Sequence, residues 1–81
     1  MQVRFTDRAY EDDADALPAV KKAFEKQLQY LLSNLQHSSL HAKKYDAAND
    51  VWQGRVNRSW RFYFTIDGEE YVILSIISHP Q

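Results

Sequence analysis

The chain has 81 residues, enough for one domain spanning 1–81 and no more. With 44% hydrophobic, 14% aromatic and 26% charged residues, and only two Gly and two Pro, it is not a disordered tail, a collagen-like repeat or a linker. A net charge of −1 excludes a surface that grips a polyanion everywhere, and the lack of cysteine excludes disulfides, thiolate zinc sites and cysteine nucleophiles.

Val3 and Phe5 alternate with polar neighbours, so residues 2–6 read as a short strand. Thr6 or Asp7 then supplies the N-cap of a helix from about Asp7 to Leu17. The spacing puts Tyr10, Ala14 and Leu17 on its packed face and the acidic Glu11, Asp12, Asp13 and Asp15 on its solvated face. Pro18 either interrupts this helix or opens a second one, since proline suits a first turn. From there Val20, Phe24, Leu28, Leu31 and Leu35 recur at helical spacing until the polar run from Ser33 to Ser39.

Beyond Leu40, with Lys43-Lys44-Tyr45 read as loop, the hydrophobic period changes to two. Val51 to Asn57 is one predicted strand and Trp60 to Ile66 a second. The second turns Trp60, Phe62, Phe64 and Ile66 to one face and Arg61, Tyr63 and Thr65 to the other. Asp67-Gly68-Glu69 is a tight hairpin turn. Glu70 to Ser78 is a third, nearly all-apolar strand, expected to be central and covered on both faces. The predicted order is β-α-α-β-β-β: an α+β fold of two layers, a helical hairpin on a small, mainly antiparallel sheet.

No apolar run approaches the roughly 18–20 residues of a membrane span, and no apolar segment of a signal peptide follows Met1. A cytoplasmic protein away from membranes is the expectation. GxGxxG, P-loop and G-x-S-x-G patterns are absent, which argues against nucleotide-dependent and serine-hydrolase chemistry. No cofactor is expected. No metal is expected either, because His37, His41 and His79 lack cysteines or paired carboxylates beside them.

The charge is uneven. Residues 43–61 carry Lys43, Lys44, Arg55, Arg58 and Arg61 against Asp46 and Asp50, a local balance of +3. Arg55, Arg61 and Tyr63 have the same parity, so they share a sheet face if the bend at Arg58-Ser59 adds no residue. Two such arginines offer forked donors to a phosphate or a phosphorane. Tyr63 or Trp60 is the candidate to stack a base beside them. Lys43 and Lys44 suit backbone phosphates. His79, at the end of the last strand, is a candidate general acid or base.

The element order, the Leu17-Pro18 break and the stretch Val51-Trp52-x-x-Arg55-Val56-Asn57-x-x-Trp60-Arg61-Phe62-Tyr63-Phe64 resemble the RelE/ParE toxin superfamily of type II toxin–antitoxin systems. The stretch is similar to the W-x-x-R-(I/V)-x-x-x-(H/Y/W)-R-(L/F)-x-(Y/F) hairpin of its RelE and YoeB-like branch. The resemblance implies a metal-independent endoribonuclease that enters the ribosomal A site and cuts mRNA, held in check by an antitoxin protein. It places Arg61 at the family's catalytic arginine and Arg55 at a basic position on the preceding strand. His79 falls near a C-terminal catalytic His or Tyr, and Lys43 and Lys44 match loosely the family's basic RNA contacts; Arg58 and Tyr63 are further candidate RNA contacts on the same stretch. Two other readings stay open on the same fold: a ParE-like inhibitor of DNA gyrase that acts by binding, and an inactive interaction module.

Overall fold

The computed structural model describes residues 1–78, so the candidate His79 lies outside the described residues. In chain order the elements are β1 (Gln2–Phe5), α1 (Asp7–Asp15), α2 (Pro18–Ser33), a 3₁₀ turn (Ser38–Leu40), β2 (Lys43–Asp46), β3 (Val51–Arg55), β4 (Trp60–Asp67) and β5 (Glu70–Ser78). The five strands form one sheet in the order β1-β5-β4-β3-β2. β1 runs parallel to β5 and every other pairing is antiparallel. The two-layer α+β expectation therefore holds, with one strand more than the sequence suggested. Among the described residues, no helix is long and apolar enough to cross a membrane.

That extra strand corrects the reading of Lys43-Lys44-Tyr45 as loop. Its side chains carry no apolar alternation, being exposed apart from half-buried Asp46, so only backbone pairing with β3 makes it a strand. Asp46 also closes the following turn. Its carboxylate accepts from Asn49 Nδ2 at 2.8 Å and from the Asn49 backbone N–H at 3.3 Å. These hydrogen bonds, the side-chain one foremost, hold its pKa below the usual carboxylate range.

The helices begin where the sequence indicates. Thr6 is the N-cap of α1, its hydroxyl accepting from Ala9 N–H at 3.2 Å, and Pro18 opens α2. The expected packed face of α1 is not the one observed. Tyr10 and Leu17 are 71% and 68% exposed, whereas Ala9 is fully buried and Asp12 is half-buried. The reason lies in the sheet edge. β1 pairs with β5 only as far as Ile73, leaving the rest of that β5 edge without a strand. Thr6 Oγ1 donates to Leu74 O at 3.1 Å, and Asp12 Oδ2 accepts from Ile76 N–H at 2.9 Å. The small Ala9 lets α1 approach closely enough for Asp12 to serve as that partner.

The core forms between the helices and one sheet face. Phe24, Leu31, Phe62, Phe64, Leu40 and Ile73 are its largest fully buried side chains. Burial of each such aliphatic or aromatic group contributes about 1.5–3 kcal/mol. Phe24 meets Phe62 edge-on at 5.3 Å between ring centroids, and Phe62 stacks on Phe64 at 5.4 Å. Trp60, Phe62 and Phe64 face the helices as their alternation requires, although Ile66, near the end of the strand, is 40% exposed. β5 lies between β1 and β4 rather than at the centre, which β4 occupies. Its parity changes midway, because Tyr63 pairs with Ser75 but Phe64 pairs with Ile73. Leu74 is the extra residue, a β-bulge that keeps both Ile73 and Ile76 in the core.

Two substitutions test this packing by urea denaturation. Asp12→Ala should destabilise the fold by about 1–2 kcal/mol by orphaning the Ile76 N–H, whereas the exposed Asp15→Ala should change stability by less than about 0.5 kcal/mol. At Gly54 a Cβ would overlap the ring of Phe62. Gly54→Ala should therefore cost about 1–3 kcal/mol through overpacking.

Candidate functional site

The hairpin joining β3 to β4 turns through residues 56–59. Asn57 shapes it: its Oδ1 accepts from Ser59 N–H at 2.9 Å and from Trp60 N–H at 3.0 Å. Val56 N–H donates to Trp60 O at 3.0 Å. The bend thus adds no residue that would break the parity, and Arg55 stands directly opposite Arg61. Both lie on the sheet face away from the helices, together with Gln53 and Tyr63, the next pair on that face.

Arg61 is held by the turn it follows. Its Nη1 donates to Asn57 O at 2.7 Å and to Trp60 O at 2.9 Å, with a longer contact of 3.4 Å to Arg58 O. Its Nε and Nη2 make no hydrogen bond to a described residue. The Arg55 Nε is buried and likewise lacks a partner among the described residues. Arg61, Arg55, Gln53, Lys43 and His41 line a cleft of about 240 Å³. Lys43 reaches it from β2, where it pairs with Gln53.

Among the described residues, no carboxylate lines this cleft. The ion pairs among the described residues lie elsewhere, at Arg4–Glu70, Arg8–Asp12 and Lys44–Asp50. Like charges directly opposite on a sheet repel and destabilise it. Three cations around one cleft, with no counter-charge among the described residues, therefore favour an anion, and the two guanidinium forks suit the tetrahedral or bipyramidal oxygens of a phosphate.

The remaining sequence candidates are dispersed. Lys44 points to the helix-facing side, where it pairs with Asp50 at 2.8 Å and lies 5.3 Å from the Trp52 ring centroid. Arg58 is exposed in the β3–β4 turn. Trp60 packs against the core, which removes it as a stacking platform on the arginine face. Tyr63 is on that face but only 8% exposed, its hydroxyl accepting from Gln53 Nε2 at 2.9 Å. Tyr45 meets it edge-on at 4.8 Å and is itself 61% exposed, so the aromatic surface open on that side belongs to Tyr45.

Sequence reasoning missed His41, Gln53 and Tyr45 as members of the site. Gln53 shares the parity of Arg55 and could have been found from it. His41 and Tyr45 could not, because their placement depends on β2. His41 ends the 3₁₀ turn in the left-handed region, at φ 46° and ψ 41°, a costly conformation for a residue with a Cβ. Among the described residues, no three His, Asp or Glu side chains converge as metal ligands would.

No protein-family model matches the chain, and no curated protein matches it in sequence. Solved structures do match in fold. A YoeB/ParE toxin from Agrobacterium tumefaciens superposes with a TM-score of 0.82 at 10% identity, over 99% of this chain and 100% of that one. The YoeB-YefM toxin–antitoxin complex from Staphylococcus aureus gives 0.78 at 19% identity, over 96% and 95% of the two chains. A RelBE toxin–antitoxin complex from Mycobacterium tuberculosis gives 0.75 at 23% identity, over 96% of each. The fold is that of the RelE, YoeB and ParE toxins.

Uncompensated charge in the cleft should show in the protein's stability. Arg55→Met keeps an apolar stem of similar length while removing the opposed charge and the orphaned Nε. It should stabilise the fold by about 0.5–1 kcal/mol at low ionic strength. The gain should shrink as salt rises in urea titrations, because screening weakens the repulsion it relieves.

Proposed function

We propose that this protein is the toxin of a type II toxin–antitoxin pair, acting in the cytoplasm as a metal-independent mRNA endoribonuclease on the ribosome. The observation that carries the reading is the opposed Arg55–Arg61 pair, fixed by the hairpin in a cleft that no described carboxylate lines. The fold shared with RelE and YoeB toxins supports it.

In this reading the 2′-hydroxyl oxygen of the RNA attacks the adjacent phosphorus. The P–O5′ bond breaks, leaving a 2′,3′-cyclic phosphate and a 5′-hydroxyl. Arg61 and Arg55 donate to the non-bridging oxygens, whose negative charge grows in the transition state. Since Arg61 Nη1 is already fixed by turn carbonyls, the rest of its fork is preorganised at little entropic cost. His79 is proposed as acid or base for the proton leaving the 2′-oxygen or reaching the 5′-oxygen. Lys43 and Arg58 are proposed to contact the flanking backbone. Lys44, on the other face, contributes outside the cleft, and Tyr45 takes over the stacking first assigned to Tyr63.

An antitoxin partner belongs to the same proposal. The matching structures include toxins solved with YefM and RelB antitoxins. An acidic segment folding over this face would bring carboxylates to the cleft's cations.

The test is to add the purified chain to a translating cell-free extract and map mRNA 5′ ends. Cuts within codons at stalled ribosomes are expected. Arg61→Ala should reduce them by about 10²–10³-fold. Arg61→Lys should recover little, because a lysine keeps the charge but not the fork. Intact mRNA in the presence of folded wild-type protein would overturn the reading, and gyrase inhibition would then be the activity to assay.

A further inference from the structure

A second and larger cleft, of about 500 Å³, opens between α2, the 3₁₀ turn and the end of β3. It borders the arginine cleft, and His41 and Arg55 line both. Lys26, Gln27, Tyr30 and Ser38 are among its other walls. The two clefts form one basic path, and among the described residues no carboxylate lines either part.

Gln27 is the informative residue. It sits among the apolar positions of α2 and is only 6% exposed. Its Nε2 donates to Ser39 O at 2.9 Å and to Arg55 O at 2.7 Å. Two carbonyl acceptors fix which end of the amide is nitrogen, since only the NH₂ group can donate. Both amide hydrogens are therefore used, and the Oε1 atom accepts from no described residue. That oxygen is not sealed in the protein, so it presents a fixed acceptor to the cleft that Gln27 lines. A buried acceptor held in one orientation selects ligands that bring a donor to it and rejects those that do not.

The remaining walls say what ligand fits. Tyr30 is braced by His37, stacked at 3.8 Å and 8° between planes, so it forms a rigid edge. Lys26 lies 5.9 Å from the Tyr30 ring centroid and adds positive charge at the rim. The cleft has volume enough for a planar base, and Arg55, which lines both clefts, joins it to the one that Arg61 lines.

We infer that this cleft is a nucleobase subsite, and that Gln27 Oε1 reads the exocyclic amine of the base next to the phosphate held by Arg55 and Arg61. The inference rests on the ribonuclease reading for its biological role. It concerns which nucleotide is selected rather than how the bond is cut. Gln27 is thus a specificity-determining residue.

The experiment is a ¹H–¹⁵N NMR titration of the whole chain with adenosine 3′-monophosphate, purine riboside 3′-monophosphate and inorganic phosphate. The first two differ only by the exocyclic amine. The adenosine nucleotide should shift the Gln27 side-chain amide and the Ser38 and Ser39 backbone amides. Purine riboside should bind roughly tenfold more weakly, the loss expected for one specific base hydrogen bond. Phosphate alone should move Arg55, Arg61 and Lys43 but not Gln27. Ser38→Trp, at an exposed position, should block the Gln27 response and preserve the phosphate response. Because Gln27 also braces the fold, this variant tests the cleft without touching the core. Equal affinity for the two purine nucleotides would overturn the inference, as would a Gln27 response unchanged by Ser38→Trp. The mRNA-cutting assay separates the two failures. Cutting without amine-selective binding removes the subsite alone. Amine-selective binding without cutting removes the ribonuclease reading and leaves the subsite in place.

Discussion

The register of one hairpin governs the geometry of the arginine cleft. Asn57 closes the β3–β4 connection through its own side chain, and the ladder that follows sets Arg55 against Arg61. On the other face, the same register seats the Phe62 ring over Gly54, where no Cβ stands in the way. A slip of one residue would set Arg55 and Arg61 on opposite faces and would send either Arg55 into the core or Phe62 into solvent. Burial of Phe62 and Phe64 therefore enforces a juxtaposition of like charges that the sheet would not adopt for its own stability. The energy comes from the apolar face, and the proposed site sits on the polar one.

A similar division operates at the sheet edges. The bulge at Leu74 moves β5 between parities so that apolar side chains on either side of it still reach the core. Its unpaired edge is then satisfied by Thr6 and Asp12. At the opposite edge, β2 joins the sheet through backbone hydrogen bonds and brings Lys43 beside the arginines. The acidic helix thus supports the fold with one of its carboxylates, while the basic strand supplies charge to the site. This spatial separation lets a chain of net charge −1 present a cleft lined by cations and, among the described residues, by no carboxylate.

Gln27 links the layers. It ties α2 to the 3₁₀ turn and to β3 through two main-chain carbonyls, spanning sequence separations that no local pattern connects. A buried amide of this kind costs free energy unless its donors are matched. Matching them holds the clefts on either side of Arg55 in a fixed relation. The left-handed backbone of His41 is a second cost concentrated at the same junction.

The sequence by itself determined the elements that carry strong periodicity or a stop signal. The helix starts at Thr6 and Pro18, the Asp-Gly turn, the alternation along β4 and the opposed faces of Phe62 and Arg61 all follow from local rules. For the same reason the Arg55–Arg61 pair was legible, since parity and loop length are local quantities. Only the tertiary structure decided what depends on a distant partner. β2 has no apolar alternation and exists because β3 offers it an edge. α1 turns Ala9 and Asp12 inward, against its apparent amphipathic face, because the edge of β5 needs an acceptor. Tyr63 is withdrawn from solvent by Gln53 and Tyr45. Gln27 and His41 became site residues only when α2, the 3₁₀ turn and β3 met, because a side chain's free hydrogen-bonding atom is defined by the partners its other atoms find in space.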